Sequence, residues 1–118
     1  MVKIAIFAAA AAALAGQATA QVGPECTPAQ FYCGFSLLRG PNENLWRGRI
    51  NKALQERGLP TDGTHQSDSL FFCSTPTTLA LDEFCPGTPT IPGRRCQPSI
   101  SNFCGNGVTL NDCCGGTA

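Results

Sequence analysis

Asn42-Glu43-Asn44-Leu45-Trp46-Arg47-Gly48-Arg49-Ile50-Asn51-Lys52-Ala53-Leu54-Gln55-Glu56-Arg57-Gly58-Leu59-Pro60 is the stretch of this chain that carries a helical period. Trp46, Ile50, Ala53 and Leu54 recur at i, i+4, i+7 and i+8, which places them on one stripe of a helix. Pro41-Asn42-Glu43 reads as a start, with Asn42 as N-cap and Glu43 in the first turn, and Gly58 with Pro60 reads as a stop. The predicted helix runs from Asn44 to Arg57. Glu43 and Arg47 at i, i+4 add a few tenths of a kcal/mol, while Gly48 inside the helix costs up to about 1 kcal/mol against Ala. Trp46 is read as the core residue that seats this helix on a sheet rather than as a binding anchor. The opposite face, with Arg47, Arg49, Lys52, Glu56 and Arg57, is a solvated charged face on which Arg47 and Arg49 are candidate contact residues.

Outward from the helix the chain changes character. Pro60-Thr61-Asp62-Gly63 is a turn. Ser69 to Cys73 and Thr77 to Leu81 are short strands separated by Thr75-Pro76. From Cys85 onward Pro and Gly dominate, so turns and short extended pieces are expected there and no helix. The predicted fold is a small disulfide-rich α+β domain: one amphipathic helix packed on a small antiparallel sheet, with a loop-rich C-terminal half.

The cysteines supply the rest of the frame. All eight (Cys26, Cys33, Cys73, Cys85, Cys96, Cys104, Cys113 and Cys114) follow residue 25, spaced C-x6-C-x39-C-x11-C-x10-C-x7-C-x8-CC. That is about 8% of the chain once an N-terminal leader is removed, the density of a disulfide scaffold. The leader is legible: Lys3, an apolar run from Ile4 to Leu14, then Gly16-Gln17-Ala18-Thr19-Ala20. This is the order of a secretory signal peptide, and the run is too short for a membrane span. Residues 1–20 are assigned to the signal peptide and 21–118 to one domain, with Gln21 as the mature N-terminus. Secretion supplies the oxidising compartment that disulfides need. Eight cysteines allow on the order of a hundred pairings, and sequence does not choose among them. It does disfavour Cys113 with Cys114, because a vicinal bridge strains the intervening peptide and falls short of the usual Cα separation. Four cysteines follow an aromatic residue (Tyr32, Phe72, Phe84 and Phe103). In a strand the ring and the bridge would cover opposite faces; alternatively, the rings line up with the bridges in one core.

Charge and motifs exclude several functions. The chain has 8 basic and 8 acidic residues, and loss of Lys3 with the leader leaves a slightly acidic protein. There is no basic field for nucleic acid and no cationic membrane helix. No membrane span, cofactor or metal is expected, since no Cys-x-x-Cys pair or phosphate-binding glycine loop is present. No Asn-x-Ser/Thr sequon occurs. His65 stands in Asp62-Gly63-Thr64-His65-Gln66-Ser67-Asp68, where Asp62 or Asp68 could orient it as a base. No serine elbow or free thiol accompanies it, so a surface turn or a hydrogen-bonded structural histidine is expected, and no catalytic residue is assigned. The chain is read as a non-enzyme. Arg94-Arg95 before Cys96 reads first as part of a solvated loop; the alternatives are a contact pair, a dibasic processing site, or a basic bait for a protease.

Tyr32-Cys33-Gly34, Leu37-Leu38, Gly40, Ile50, Ala53-Leu54, Gly58-Leu59-Pro60-Thr61-Asp62, His65, Ser69-Leu70-Phe71-Phe72-Cys73 and Phe103-Cys104-Gly105-Asn106-Gly107 together resemble a group of small secreted cysteine-rich effector-candidate proteins of filamentous ascomycete fungi. The likeness spans Tyr32 to Cys114. Val108 stands where the group carries a cysteine, and the segment from Cys85 to Cys96 is an elaboration, so no pairing is carried over. The resemblance implies a secreted, extracellular protein, in a host apoplast for example, that meets a host or competitor protein in virulence. A monomer is expected. The leading expectation is therefore an effector-like interaction protein. An antimicrobial or toxin-like protein would need a cationic or apolar exposed face. A hydrolase inhibitor would need a rigid exposed loop such as Pro92 to Gln97, and a wall-carbohydrate binder would need Trp46 and Tyr32 exposed.

Overall fold

The computed structural model describes residues 22–99, 104 and 111–115. The expected signal peptide, Gln21, Phe103 and Gly105-Asn106-Gly107 lie outside the described residues. The elements run β1 (Phe31–Cys33), α1 (Gly34–Leu37), α2 (Glu43–Glu56), α3 (Gly63–Ser67), β2 (Ser69–Thr75), β3 (Thr78–Phe84), β4 (Arg95–Gln97) and β5 (Cys113–Gly115). β1, β2 and β3 form an antiparallel sheet in that order, and β4 pairs with β5 in a second, two-stranded sheet. The molecule is a small disulfide-rich α+β fold.

Alternation along β1 and β2 divides the larger sheet into two faces. Tyr32 pairs with Phe71, Phe71 with Leu81, and Cys73 with Leu79. These residues face the predicted helical stripe: Trp46, Ile50, Ala53 and Leu54 of α2 are buried in one cluster with Tyr32, Phe71, Cys73, Leu79 and Leu81. Trp46 is fully buried, and its indole Nε1 donates to Gly23 O at 2.8 Å, so the core pays no penalty for its one polar atom. The other face presents Cys33 and Leu70, which cluster with Cys85 and Cys96 and with the half-buried Phe31, Phe35 and Cys114. Phe31 pairs with Phe72 on this side, with ring centroids 5.1 Å apart. Tyr32 and Cys33 therefore serve opposite faces, as do Phe72 and Cys73.

Four disulfides close the molecule: Cys26–Cys73, Cys33–Cys96, Cys85–Cys114 and Cys104–Cys113. Cys113 and Cys114 tie the C-terminal segment to two different places, as the strain of a vicinal bridge leads one to expect, and there is no free cysteine among the described residues. One bridge joins the helix-side core. The other three lie on the opposite side, where the long helix α2 does not reach and a short chain has little apolar surface to bury.

α2 runs from Glu43 to Glu56, and its end follows the sequence reading closely. Gly58 takes φ +69°, Leu59 N donates to Leu54 O at 3.0 Å, and Gly58 N to Gln55 O at 3.0 Å, the paired bonds of a Schellman stop. Its start departs from expectation. Asn42 holds the N-cap position, but its side chain makes no capping bond. Three elements carry no sequence period: the three-residue β1, and the single-turn helices α1 and α3. The two expected strands are also longer, because β2 continues to Thr75 and β3 to Phe84, with Pro76-Thr77 as the turn between them. Beyond Cys85 the described residues hold two short strands, β4 and β5.

The stripe sets a stability contrast. Ile50→Ala removes a fully buried side chain and should cost about 3 kcal/mol, whereas Lys52→Ala on the exposed face should stay within about 0.5 kcal/mol. Urea unfolding of both variants checks this, and equal midpoints would contradict the assignment of the buried face.

Candidate functional site

Cys85 and Cys96 bound an exposed loop that is braced at both ends. Pro86 is buried at its base, Gly87 is half-buried, and Thr88 to Gly93 are all exposed. Its shape is dictated by Pro-Gly pairs. Gly93 takes φ +79° behind Pro92, and Arg94 N donates to Ile91 O at 3.2 Å, giving a type II turn with proline and glycine in their preferred places. Ile91 N reaches back to Pro86 O at 2.7 Å, and Gly87 N donates to Phe84 O at 2.9 Å. Thr88-Pro89 is a cis peptide. At the tip Ile91 keeps 45% of its surface in water.

Both feet of the loop are fixed independently. Cys85 is bridged to Cys114 in β5, and Cys96 to Cys33 in β1. Asp68 joins the two feet: its carbonyl accepts from Cys85 N at 3.1 Å, and its Oδ1 accepts from Cys96 N at 2.7 Å. Arg94 folds back as a third brace, donating to Cys85 O and pairing with Glu83 Oε2 at 2.6 Å. The loop is thus a braced platform that presents an aliphatic side chain, Ile91, with Thr88, Thr90, Pro89 and Pro92.

The four candidate contact arginines separate into two kinds. Arg47 donates to Gln66 Oε1 and pairs with Glu43 Oε2, each at 2.5 Å. Arg49 donates to Pro24 O at 2.7 Å and lies 4.5 Å over the Trp46 ring. With Arg94 tied as described, three of the four are engaged by the fold itself. Arg95 is exposed in β4 opposite Gly115 and makes no ion pair or side-chain hydrogen bond among the described residues. The Arg94-Arg95 bond therefore lies where one side chain is pinned and the next backbone is strand-paired, which a processing protease would have to undo.

His65 is a structural histidine in its contacts. Asp62 caps α3 by accepting from His65 N at 2.8 Å, the His65 Nδ1 lies 2.8 Å from the same Asp62 Oδ1, and the ring stacks on Phe84 at 4.0 Å. The His65 amide, and then its ring, hold the exposed Asp62 carboxyl below its usual value. This cap contributes fully above the ordinary carboxylate pKa and is lost as pH falls through the lowered value. Asp68, the other residue offered as an orienter of His65, is turned instead to the loop.

Asp112, which the sequence does not single out, closes the edge of the sheet. Its Oδ2 accepts from Cys33 N and Ser36 Oγ, both at 2.8 Å, and its Oδ1 from Ser99 N at 2.9 Å. Its own N donates to Phe31 O at 3.1 Å, and Asn111 Oδ1 accepts from Phe31 N at 2.9 Å. The unpaired groups of edge strand β1 are satisfied in this way, which removes a site for strand addition.

Trp46 and Tyr32 are buried, so neither contributes to a flat sugar-binding face. Among the described residues no group of three or more His, Cys, Asp or Glu side chains is placed to hold a metal, and no helix is long and apolar enough to cross a membrane. No protein-family model matches the chain, and no curated protein or solved structure proved similar to it.

Proposed function

We propose that this chain is a secreted interaction protein, effector-like in the manner of the fungal proteins it resembles, which acts outside its producing cell on a host or competitor protein. The observation that carries the reading is the loop from Pro86 to Arg95: its feet are held by two bridges and by Asp68, while Ile91 at its tip is left in water. A side chain presented from a rigid loop loses little freedom on binding, which is how a small surface gains affinity. The leader and the four bridges support an extracellular site of action, such as a host apoplast. No cofactor and no nucleic acid enter this reading, and the working form is a monomer.

Hydrolase inhibition is the second reading, favoured by the same bracing, since a loop held at both feet can fill an enzyme cleft without being reshaped. Toxin-like action has less support, because Arg47, Arg49 and Arg94 are drawn into contacts within the fold.

Ile91→Asp tests the loop. The substituted residue is solvent-exposed, so melting should move by no more than about 0.5 kcal/mol in stability. A partner captured from host extracellular fluid by the oxidised protein should bind the variant at least tenfold more weakly, about 1.4 kcal/mol. Equal binding by the variant would exclude the loop tip as the contact. If the partner is a hydrolase whose activity falls on binding, the inhibitor reading holds.

A further inference from the structure

The tip of the β2–β3 hairpin, the turn with the strand ends that flank it, carries a concentration of hydroxyls. Ser74, Thr75, Pro76, Thr77 and Thr78 are five consecutive exposed residues, four of them alcohols around one proline. The backbone beneath them is held in place. Cys26 N donates to Pro76 O at 2.8 Å, and Cys26 is bridged to Cys73, two residues before the end of β2. Among the described residues, the only side-chain hydroxyl contact these residues make is Thr75 Oγ1, which accepts from Thr77 N at 3.3 Å. A shallow cleft of about 130 Å³ adjoins the turn, lined by Thr77, Thr78, Leu79, Arg49, Lys52 and Glu56. Its charged side chains are hydrogen-bonding groups of the kind that meet sugar hydroxyls.

We infer that Ser74–Thr78 is an O-glycan acceptor, and that the first sugar on Thr77 or Thr78 lies over the cleft beside Arg49, Lys52 and Glu56. Serine and threonine clustered with proline in an exposed segment is the composition on which secretory transferases act. The chain has no Asn-x-Ser/Thr sequon, which favours O-linkage for any glycan it carries. In the transfer the hydroxyl oxygen forms a bond to the anomeric carbon of a phosphate-activated hexose. The bond from that carbon to phosphate breaks, the phosphate leaves with the electron pair, and a base of the transferase takes the hydroxyl proton. The acceptor turn lies at the end of the β2–β3 hairpin remote from Cys85, so a glycan there leaves the Ile91 loop uncovered.

This assignment rests on the secretion of the chain. The test is expression of the full chain, with its own leader, in a yeast secretory host that transfers mannose to serine and threonine. The intact mass of the oxidised product should exceed that of the bare chain by whole hexose residues, and electron-transfer fragmentation should place them within 74–78. The combined variant Ser74→Ala, Thr75→Val, Thr77→Val, Thr78→Val should lose the added mass. Site mapping on the unsubstituted protein decides the matter even if that variant is poorly secreted. A secreted product of bare mass, or one carrying hexose only at Thr88 or Thr90, overturns the acceptor turn. A product found only inside the cell and without sugar overturns both the acceptor and the secretion beneath it.

Discussion

Gly34→Ala should leave no folded protein. A Cβ at this position would lie 1.6 Å from Gln66 O, 2.8 Å from Gln66 C and 3.2 Å from Ser67 Cα, all of them backbone atoms. Overlap of that depth is relieved only if α1 and α3 move apart. α3 has no freedom to do so, because the buried Gln66 anchors it to two other parts of the fold. Gln66 Oε1 accepts from Arg47, while its Nε2 donates to Asn51 Oδ1 at 2.8 Å and to Thr61 O at 2.9 Å. Breaking that set strands buried polar groups in addition to the steric cost, for a total above about 4 kcal/mol, most of the stability of a domain this size. Gly48→Ala is the internal control. Nothing lies within 4 Å of a Cβ there, so the variant should gain about 0.5–1 kcal/mol from helix propensity. Secretion yield and melting of the two alanine variants should move in opposite directions.

Removing the Cys33–Cys96 bridge by a double alanine substitution should be the costliest of the four bridge deletions. It spans 63 residues, against 47 for Cys26–Cys73, 29 for Cys85–Cys114 and 9 for Cys104–Cys113. In the chain-entropy description the loss is roughly 4 kcal/mol for the longest closure and about 2.5 kcal/mol for the shortest. Packing reinforces the ranking, since Cys33 and Cys96 are both buried at the centre of the second cluster and Cys96 anchors one foot of the loop. Urea midpoints for the two extreme pairs, Cys33/Cys96 and Cys104/Cys113, measure the difference. A Cys104/Cys113 deletion that proved the more damaging would show that the C-terminal segment, and not the closure of β1 to β4, holds this side of the molecule.

How far the sequence could be read follows from how local each feature is. α2 is written in a 3.6-residue period and a Gly-x-Pro stop, so its buried face and its end emerge from neighbouring residues. β1 has only three residues, and what stabilises its edge is Asn111 and Asp112, about 80 positions away. No window along the chain contains that information. The bridges behave likewise. Adjacency disfavours Cys113–Cys114, but the choice of Cys33 for Cys96 depends on the fold bringing β1 beside β4. The candidate site was half legible. Pro92-Gly93 and the flanking cysteines mark a constrained loop, and Arg94-Arg95 mark a basic pair. That Arg94 turns inward to a carbonyl, while Ile91 is left outside, is fixed by Glu83, Cys85 and Asp68 in three dimensions.

The presentation of the loop by two bridges that run to different strands is the claim on which the functional reading stands, and a disulfide map tests it most directly. The secreted protein, digested without reduction at low pH to prevent exchange, should yield linked fragments for Cys26–Cys73, Cys33–Cys96, Cys85–Cys114 and Cys104–Cys113, begin at Gln21, and take up no alkylating reagent. Recovery of Cys85 linked directly to Cys96 would contradict the account, because the loop would then be closed on itself and tied to neither β1 nor β5.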